Sequence, residues 1–315
     1  MKKLVVPIII LTGLTVWFLN FSGKENKDQH YEDQFANHYK IFAINSPVSM
    51  SFAGEVMPLD IVDIRERLDR ELMVNTYWQS QTLLLHKRAN RWFPVIEPIL
   101  AENNIPDDFK YLCVAESGLD NVVSPARAVG FWQFLKDTGR EYGLEINDEV
   151  DERYSPERST EAACKYLRKA YDKYGSWSLA AASYNMGING LDKQMDIQKV
   201  NSYYDLLLGE ETGRYVFRIA ALKEIMNNST KYGFHFRPKD LYPTYETKTI
   251  EVDTAVVDMS ILASDNNINY KILKILNPWL RKPYLKNKNK KTYQIKLPAD
   301  NSTGLLKHSE SSTIK

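Results

Sequence analysis

The carboxylate at position 116 stands where a helix normally carries hydrocarbon. Phe109, Leu112, Cys113 and Glu116 recur at i, i+3, i+4 and i+7, one apolar stripe of a helix read from Pro106 to about Ser117. A lone carboxylate on such a stripe is costly unless it is neutralised or paired. Burial raises its pKa, and a place near the helix C-terminus, where the dipole disfavours negative charge, pushes the same way. Such a group keeps its proton near neutral pH and can give it to a leaving oxygen. Taken alone, Glu116 also fits a structural carboxylate paired with an arginine.

Three further segments suit the holding of a sugar. From Val129 to Phe134, Gly130 precedes Phe131, Trp132 and Gln133. That combination suggests a close backbone turn, a flat aromatic surface for a sugar ring and an amide for hydroxyl or acetamido groups. The same aromatics could be core. From Ala180 to Gly187, small residues allow close helix packing and bring Tyr184 and Asn185 to a helix end; the plain alternative is a packing helix with an Asn cap. Glu211 to Val216 places the phenol of Tyr215 at the start of another helix.

Together the four segments resemble, in order and residues, the lytic transglycosylases of glycoside hydrolase family 23. The family's Glu-Ser is matched by Glu116-Ser117, its Gly-Leu-Met/Trp-Gln by Gly130-Phe131-Trp132-Gln133, and its Ala-Tyr-Asn by Ser183-Tyr184-Asn185. Its later Tyr is matched by Tyr215, and the resemblance covers roughly residues 60–235. It implies a lysozyme-like all-α catalytic domain acting on peptidoglycan glycan strands. In that chemistry Glu116, the single acid/base residue, protonates the oxygen between N-acetylmuramic acid and N-acetylglucosamine. It then takes the proton of the muramic acid C6 hydroxyl, which closes onto C1 as a 1,6-anhydro end. The substrate acetamido group helps stabilise the cationic centre. The resemblance further implies that Ser117 orients Glu116 or substrate, that Gly130, Phe131, Trp132, Gln133, Tyr184 and Asn185 contact substrate, and that Tyr215 bonds Glu116. No metal or organic cofactor is needed. Phe131 and Ser183 depart from the family pattern.

Two other functions fit these residues. A lysozyme-like hydrolase needs a second carboxylate or base to activate water, and Asp120, Asp137, Glu141 and Asp151 lie in the intervening segment. A non-catalytic wall-binding protein could also keep the fold, although an intact Glu116 speaks against it.

The elements that must position these groups read as helices. Ile61, Ile64, Leu68 and Leu72 open a helical pattern that continues through Trp92-Phe93, with a break or restart allowed at Pro94 and Pro98. Ser155-Pro156-Glu157 starts a helix that runs to Gly175, and further helices cover Leu179 to Asn185 and about Glu210 to Asn227. The expectation is a mainly α chain with a catalytic domain over residues 59–238. Residues 23–58 read as a linker or arm, and residues 301–315 as a tail. Between them, residues 239–300 alternate strand, two short helices and strand, an α+β module remotely resembling a LysM glycan-binding domain.

Composition bounds the rest. The chain has 315 residues, 43% of them apolar, enough for a packed core, and a formal charge of +1, which argues against a nucleic-acid partner. Cys113 and Cys164 cannot form a zinc site alone, and His30, His38, His86, His235 and His308 are scattered. Lys2 and Lys3 precede an apolar run from Leu4 to Leu19. That is the pattern of a secretory signal over residues 1–22, or of an anchor that keeps the chain at the membrane. No cysteine follows for lipid attachment. Both readings imply the cell envelope, on the periplasmic side.

Overall fold

The structure is a computed structural model that describes residues 28–30, 32–34 and 41–299. The apolar run at Leu4 to Leu19 and the tail at 301–315 lie outside the described residues. In the N-terminal unit, Met1–Ala43, positions 28–30 and 32–34 are helical. Everything below concerns the unit that begins at Ile44. No helix among the described residues is long and apolar enough to cross a membrane.

This unit opens with a hairpin. β1 (Ser51–Phe52) pairs with β2 (Glu55–Val56), and Phe52 and Met57 are buried in the main core. Of residues 23–58, read as a linker or an arm lying on the domain, the last part packs into the core of the helical body. Phe52 packs edge-on against Phe109 with ring centroids 5.2 Å apart. The Glu55 carboxylate accepts from Ser178 N at 2.9 Å and from Ser178 Oγ at 2.7 Å, the first turn of a later helix. A carboxylate there satisfies orphan N–H groups and meets the positive helix end.

Eight α-helices follow between Val62 and Asn227: α1 (Val62–Tyr77), α2 (Gln79–Glu102), α3 (Phe109–Ser117), α4 (Lys136–Glu141), α5 (Pro156–Tyr174), α6 (Trp177–Met186), α7 (Ile188–Gln198) and α8 (Glu210–Asn227). Two differ in kind from the expectation. α2 runs unbroken through Pro94 and Pro98. Asn90, Pro94 and Pro98 are all exposed, so the carbonyls freed by the missing N–H groups meet water, while Ile96 and Leu100 hold the helix to the core. α3 starts at Phe109, not Pro106. Residues 106–108 form a tight turn in which Phe109 N bonds Pro106 O at 3.0 Å.

α8 is the centre of the body and packs on α1, α3 and α6, while α5 packs on α2 and α6. Its Val216, Phe217, Ile219, Ala220 and Ala221 have no exposure, as a helix surrounded by others requires. Ala180, Ala181 and Ala182 of α6 are equally buried, and their small side chains let α6 lie close to α8.

The C-terminal module is built from β3 (Thr247–Val252), α9 (Met259–Asp265), α10 (Tyr270–Leu276) and β4 (Tyr293–Pro298). β3 and β4 pair antiparallel, from Thr247 opposite Pro298 to Val252 opposite Tyr293. Asn277, fully buried, donates to Lys296 O at 2.7 Å and accepts from Lys296 N at 2.8 Å, so it pins the end of α10 to β4. The module has its own core of Val252, Met259, Leu273, Ile295 and Leu297, and Val150 of the α4–α5 loop sits in it. Backbone bonds continue the seam: Asp151 N to Trp279 O at 2.9 Å and Arg281 N to Glu149 O at 2.7 Å. The module is thus seated on the helical body rather than tethered to it.

Placing a charge in this seat tests the packing. Val150→Asp buries a carboxylate without a partner, at a cost of about 3–5 kcal/mol. The expected result is faster proteolysis across residues 239–246 and a lower melting temperature with the helical signal of the body retained. Unchanged cleavage and melting would show that Val150 does not hold the module.

Candidate active site

Three contacts tie α3 to α8. Lys223 Nζ donates to Asp108 Oδ2 at 2.6 Å, Tyr111 OH donates to Asn227 Oδ1 at 2.6 Å, and Tyr215 OH donates to Glu116 Oε1. The two helices run antiparallel, so the ties span the whole of α3 and fix where its last turn lies. Asp108 also accepts from Ala53 N at 2.6 Å, which brings the hairpin into the same clamp. Lys110 Nζ reaches Glu97 at 2.7 Å and so joins α3 to α2. Gly118 ends α3 in the left-handed conformation, φ 61°. A Cβ at Gly118 would lie 3.1 Å from Gln81 Nε2 and 3.2 Å from Leu85 Cδ2, so α2 approaches that turn closely.

Glu116 is half-buried, and burial pushes its carboxyl up to about 7. The Tyr215 hydroxyl pulls the other way, because it donates to the charged form. Glu211 raises the value further through its negative charge, and Arg218 lowers it. Glu211 and Arg218 stand one turn before and one turn after Tyr215 on α8, the spacing that puts them on its face. The result is a carboxyl poised between acid and base near neutrality. The Tyr215 phenol is itself raised, first by burial and then by Glu116, so it remains a donor.

The segment 129–134 closes the next wall. Gly130 has φ +82°, and a Cβ there would lie 1.9 Å from Arg153 O. Only glycine fits. Phe131 and Trp132 are buried, and Trp132 Nε1 donates to Thr160 Oγ1 at 2.8 Å. Neither ring offers a face on which a sugar could stack, which corrects that expectation; they are core. Gln133 is half-buried with φ 49°, and its Nε2 donates to Gly130 O at 2.7 Å and Val122 O at 3.1 Å. Its amide oxygen is left for a donor. Cys113 Sγ contacts Phe131 O at 3.4 Å and Tyr184 OH donates to Trp132 O at 2.7 Å, which holds this loop between α3 and α6. Both cysteines are free and buried.

With this geometry the comparisons with known proteins can be placed. Residues 94–206 match the transglycosylase SLT domain, and residues 248–301 match the soluble lytic transglycosylase C-terminal LysM-like domain. The chain carries both domains. Over 199 residues it is 30% identical to the membrane-bound lytic murein transglycosylase D of Escherichia coli K12 and to that of Escherichia coli O6:H1. The match covers 60% of this chain and 43% of each relative, so the chain spans less than half of their length.

The SLT domain and its flanking helices bring some of the expected site residues together and leave others apart. Glu116 and Tyr215 touch. Tyr184 is raised by burial and then by the charge of Glu116, so its ring belongs to the same locale. Asn185 Oδ1 accepts from Thr212 Oγ1 at 2.7 Å and its Nδ2 reaches Glu211 at 3.3 Å. Ser117 does not turn to Glu116: its hydroxyl donates to Cys113 O at 3.3 Å and accepts from Leu119 N at 3.1 Å, closing the helix instead. Ser183 is fully buried, and its hydroxyl is satisfied by folding back onto Ala180 O at 2.8 Å.

The four alternative carboxylates are engaged elsewhere. Asp120 pairs with Arg88 at 2.7 Å, Glu141 with Lys169 at 2.9 Å, and Asp151 with Arg153 at 2.7 Å, while the Asp137 side chain is 99% exposed. The acid that Glu116 does feel is Glu211, with Arg218 on the same helix acting in the opposite sense, while Thr212 beside them holds Asn185. Sequence reasoning assigned these three no role. The signal for them was their spacing around Tyr215. Among the described residues no group of three His, Cys, Asp or Glu gathers as a metal site requires.

Two substitutions test the arrangement. Tyr215→Phe removes the bond that favours the charged form, so the Glu116 pKa rises by about 1–2 units. The limb of the pH profile that reports this group then moves to higher pH, with a reduced maximum. A limb that stays fixed would mean that Tyr215 does not tune Glu116. Gly130→Ala combines a clash with the Arg153 carbonyl and a left-handed backbone. The expected cost exceeds about 3 kcal/mol in chemical denaturation, with activity lost.

Proposed function

We propose that the chain is a peptidoglycan lytic transglycosylase that cleaves the glycan strand between N-acetylmuramic acid and N-acetylglucosamine and leaves 1,6-anhydromuramic ends. The observation that carries this reading is the Glu116 carboxyl, held near a pKa of about 7 and bonded by Tyr215. At that value the group is part acid and part carboxylate at neutral pH, as a single residue serving both halves of the reaction must be.

In the first half, protonated Glu116 gives its proton to the bridging oxygen as the C1–O bond breaks, and the leaving sugar departs as an alcohol. Positive charge gathers at C1, where the neighbouring acetamido oxygen can share it. In the second half the Glu116 carboxylate takes the proton from the C6 hydroxyl, whose oxygen bonds to C1. The carboxyl is then protonated again and nothing is consumed. Attack from within the same sugar gains the rate advantage of proximity. Of the expected substrate contacts, the Gln133 amide oxygen and the Asn185 side chain are suited to acetamido and hydroxyl groups. Gly130, Phe131, Trp132 and Ser117 act by shaping the walls.

The relatives are named as membrane-bound murein enzymes, and a peptidoglycan substrate implies an envelope location. The apolar run at Leu4 to Leu19 would serve there as signal or anchor. In the same reading residues 59–238 are the catalytic domain, extended by the hairpin, and residues 239–300 are the LysM-like module.

The deciding experiment is mass spectrometry of products from purified peptidoglycan treated with the protein or with Glu116→Gln. Products one water lighter than hydrolytic fragments, absent with Glu116→Gln, are expected. Reducing-end products would transfer the reading to a hydrolase, with Glu211 as the first carboxylate to examine. Retained wall binding with no products from either protein would leave a wall-binding role.

A further inference from the structure

Phe131 and Trp132 are core and leave no ring face to a sugar. A tryptophan with an open ring stands instead at the junction of α1 and α2. Of the tryptophans among the described residues, Trp78 alone is exposed, at 60%. Among those residues no other ring and no cation lies against it.

Two helix faces set the direction in which it looks. On α2, positions 78, 81, 85 and 88 recur at i, i+3, i+7 and i+10, one face of a helix. A Cβ at Gly118 would lie 3.1 Å from Gln81 Nε2, 3.2 Å from Leu85 Cδ2 and 3.5 Å from Arg88 Nη1, so that face is turned to the end of α3. α3 ends at Ser117 and meets only the last three of these positions. Trp78 is the position left beyond its end. On α1, Glu71, Asn75 and Trp78 recur at i, i+4 and i+7, and Glu71 faces Arg214 and Arg218 of α8, the helix that carries Tyr215. Both faces therefore lead from Trp78 toward the Glu116 carboxyl. Gly118 follows Glu116 by two residues, so their Cα atoms lie within about 7 Å of each other.

Polar groups stand unused beside the ring. Gln81, one turn on from Trp78, is half-buried, and its amide makes no hydrogen bond among the described residues. Asn75 Nδ2 donates to Glu71 O at 2.7 Å, which leaves its Oδ1 without a donor. Side chains one turn apart have Cβ atoms about 5–6 Å from each other, so ring and amides reach a single ligand. The C–H groups of a sugar ring pack on the negative face of an indole, and free amides pair with hydroxyl and acetamido groups. A purely apolar partner would use the ring and leave the amides unpaired.

We propose that Trp78 and Gln81 form a distal sugar subsite, in which the indole stacks on a ring of the glycan strand away from the bond that breaks and Gln81 pairs with that sugar's polar groups. It rests on the reading that the chain acts on glycan strands. Both residues lie outside 94–206, the span matched by the SLT domain, so the subsite is built by the helices that precede it. Trp78 is then a specificity residue for strand length, with no part in the proton transfers.

The test assays full-length wild type, Trp78→Ala, Trp78→Tyr and Gln81→Ala on long glycan strands and on the shortest fragment that wild type cleaves. On long strands the expected KM is about tenfold higher for Trp78→Ala and about threefold higher for Gln81→Ala, with kcat within about twofold. Trp78→Tyr keeps a ring and recovers most of the loss. On the short fragment the variants match wild type. Equal losses on both substrates would assign Trp78 to the α1–α2 junction and overturn the subsite, as would no loss on either. Self-association of wild type that Trp78→Ala abolishes, with KM on long strands unchanged, would assign the ring and the exposed Met73 and Val74 to a contact between copies and overturn it as well. Should wild type cleave neither substrate, long strands are titrated into Glu116→Gln while the indole NMR signal of Trp78 is followed, assigned by its loss in Trp78→Tyr. A shift that saturates would keep the subsite while the catalytic reading falls; no shift would remove the subsite itself.

Discussion

The hydrogen bond from Tyr215 to Glu116 joins two helices at the one point where their relative position matters chemically. Burial alone would lift the Glu116 carboxyl until it kept its proton too firmly to serve as a base. A fully solvated carboxylate would never hold one near neutrality. The value of about 7 is a balance between desolvation, which raises it, and the phenol donor, which lowers it. That balance depends on a distance set by helix packing, and so on everything that fixes α3 against α8. The salt bridge from Lys223 to Asp108 and the bond from Tyr111 to Asn227 are the far ends of that constraint.

A second constraint is electrostatic. Glu71 of α1 is 1% exposed and accepts from Arg214 at 2.6 Å and Arg70 at 2.9 Å, with Arg218 at 3.7 Å. A carboxylate so deep survives only with several cations about it. Those cations come largely from α8, the helix that carries Tyr215. Arg218 serves both carboxylates: it lies 3.7 Å from Glu71 and pulls the Glu116 pKa down. An uncommitted arginine beside Glu116 would ionise it and remove the acid. Glu211, across the same face, contributes in the opposite sense.

Much of this was legible in the sequence, for identifiable reasons. The apolar stripe of α3 displayed Glu116, because a 3.6-residue period makes one polar intruder conspicuous. The start of α5 was visible in Ser155-Pro156 and its end in Gly175, both local signals that the structure uses, with Ser155 Oγ accepting from Arg158 N at 3.3 Å. What stayed hidden depended on tertiary contact. Pro94 and Pro98 suggested a break in α2, but local rules do not show that the affected carbonyls face water. Phe131 and Trp132 looked like a sugar platform, but which side of a ring is covered is decided by residues far away in sequence, such as Thr160. The hairpin at 51–56 read only as part of a linker or arm because two-residue strands carry no period, and Phe52 against Phe109 shows its place.

The loop between α4 and α5 carries two tasks within a few residues. Val150 enters the core of the LysM-like module, and Glu149 accepts from Lys286 N at 2.7 Å. Asp151 holds the guanidinium of Arg153 at 2.7 Å. That guanidinium donates to Phe134 O at 3.1 Å, while the Arg153 carbonyl abuts Gly130. The module is therefore one buried ion pair away from the wall beside Glu116. A flexibly tethered domain could add affinity for the wall but could not bear on that geometry. A seated one does both, since the loop that supports the 130–134 turn is itself braced on its outer side by β4 and the residues before it. Rigidity of this kind has a chemical use. The acid in this site works only while a donor, a burying wall and a nearby charge stay in fixed proportion, and each comes from a different element of the fold.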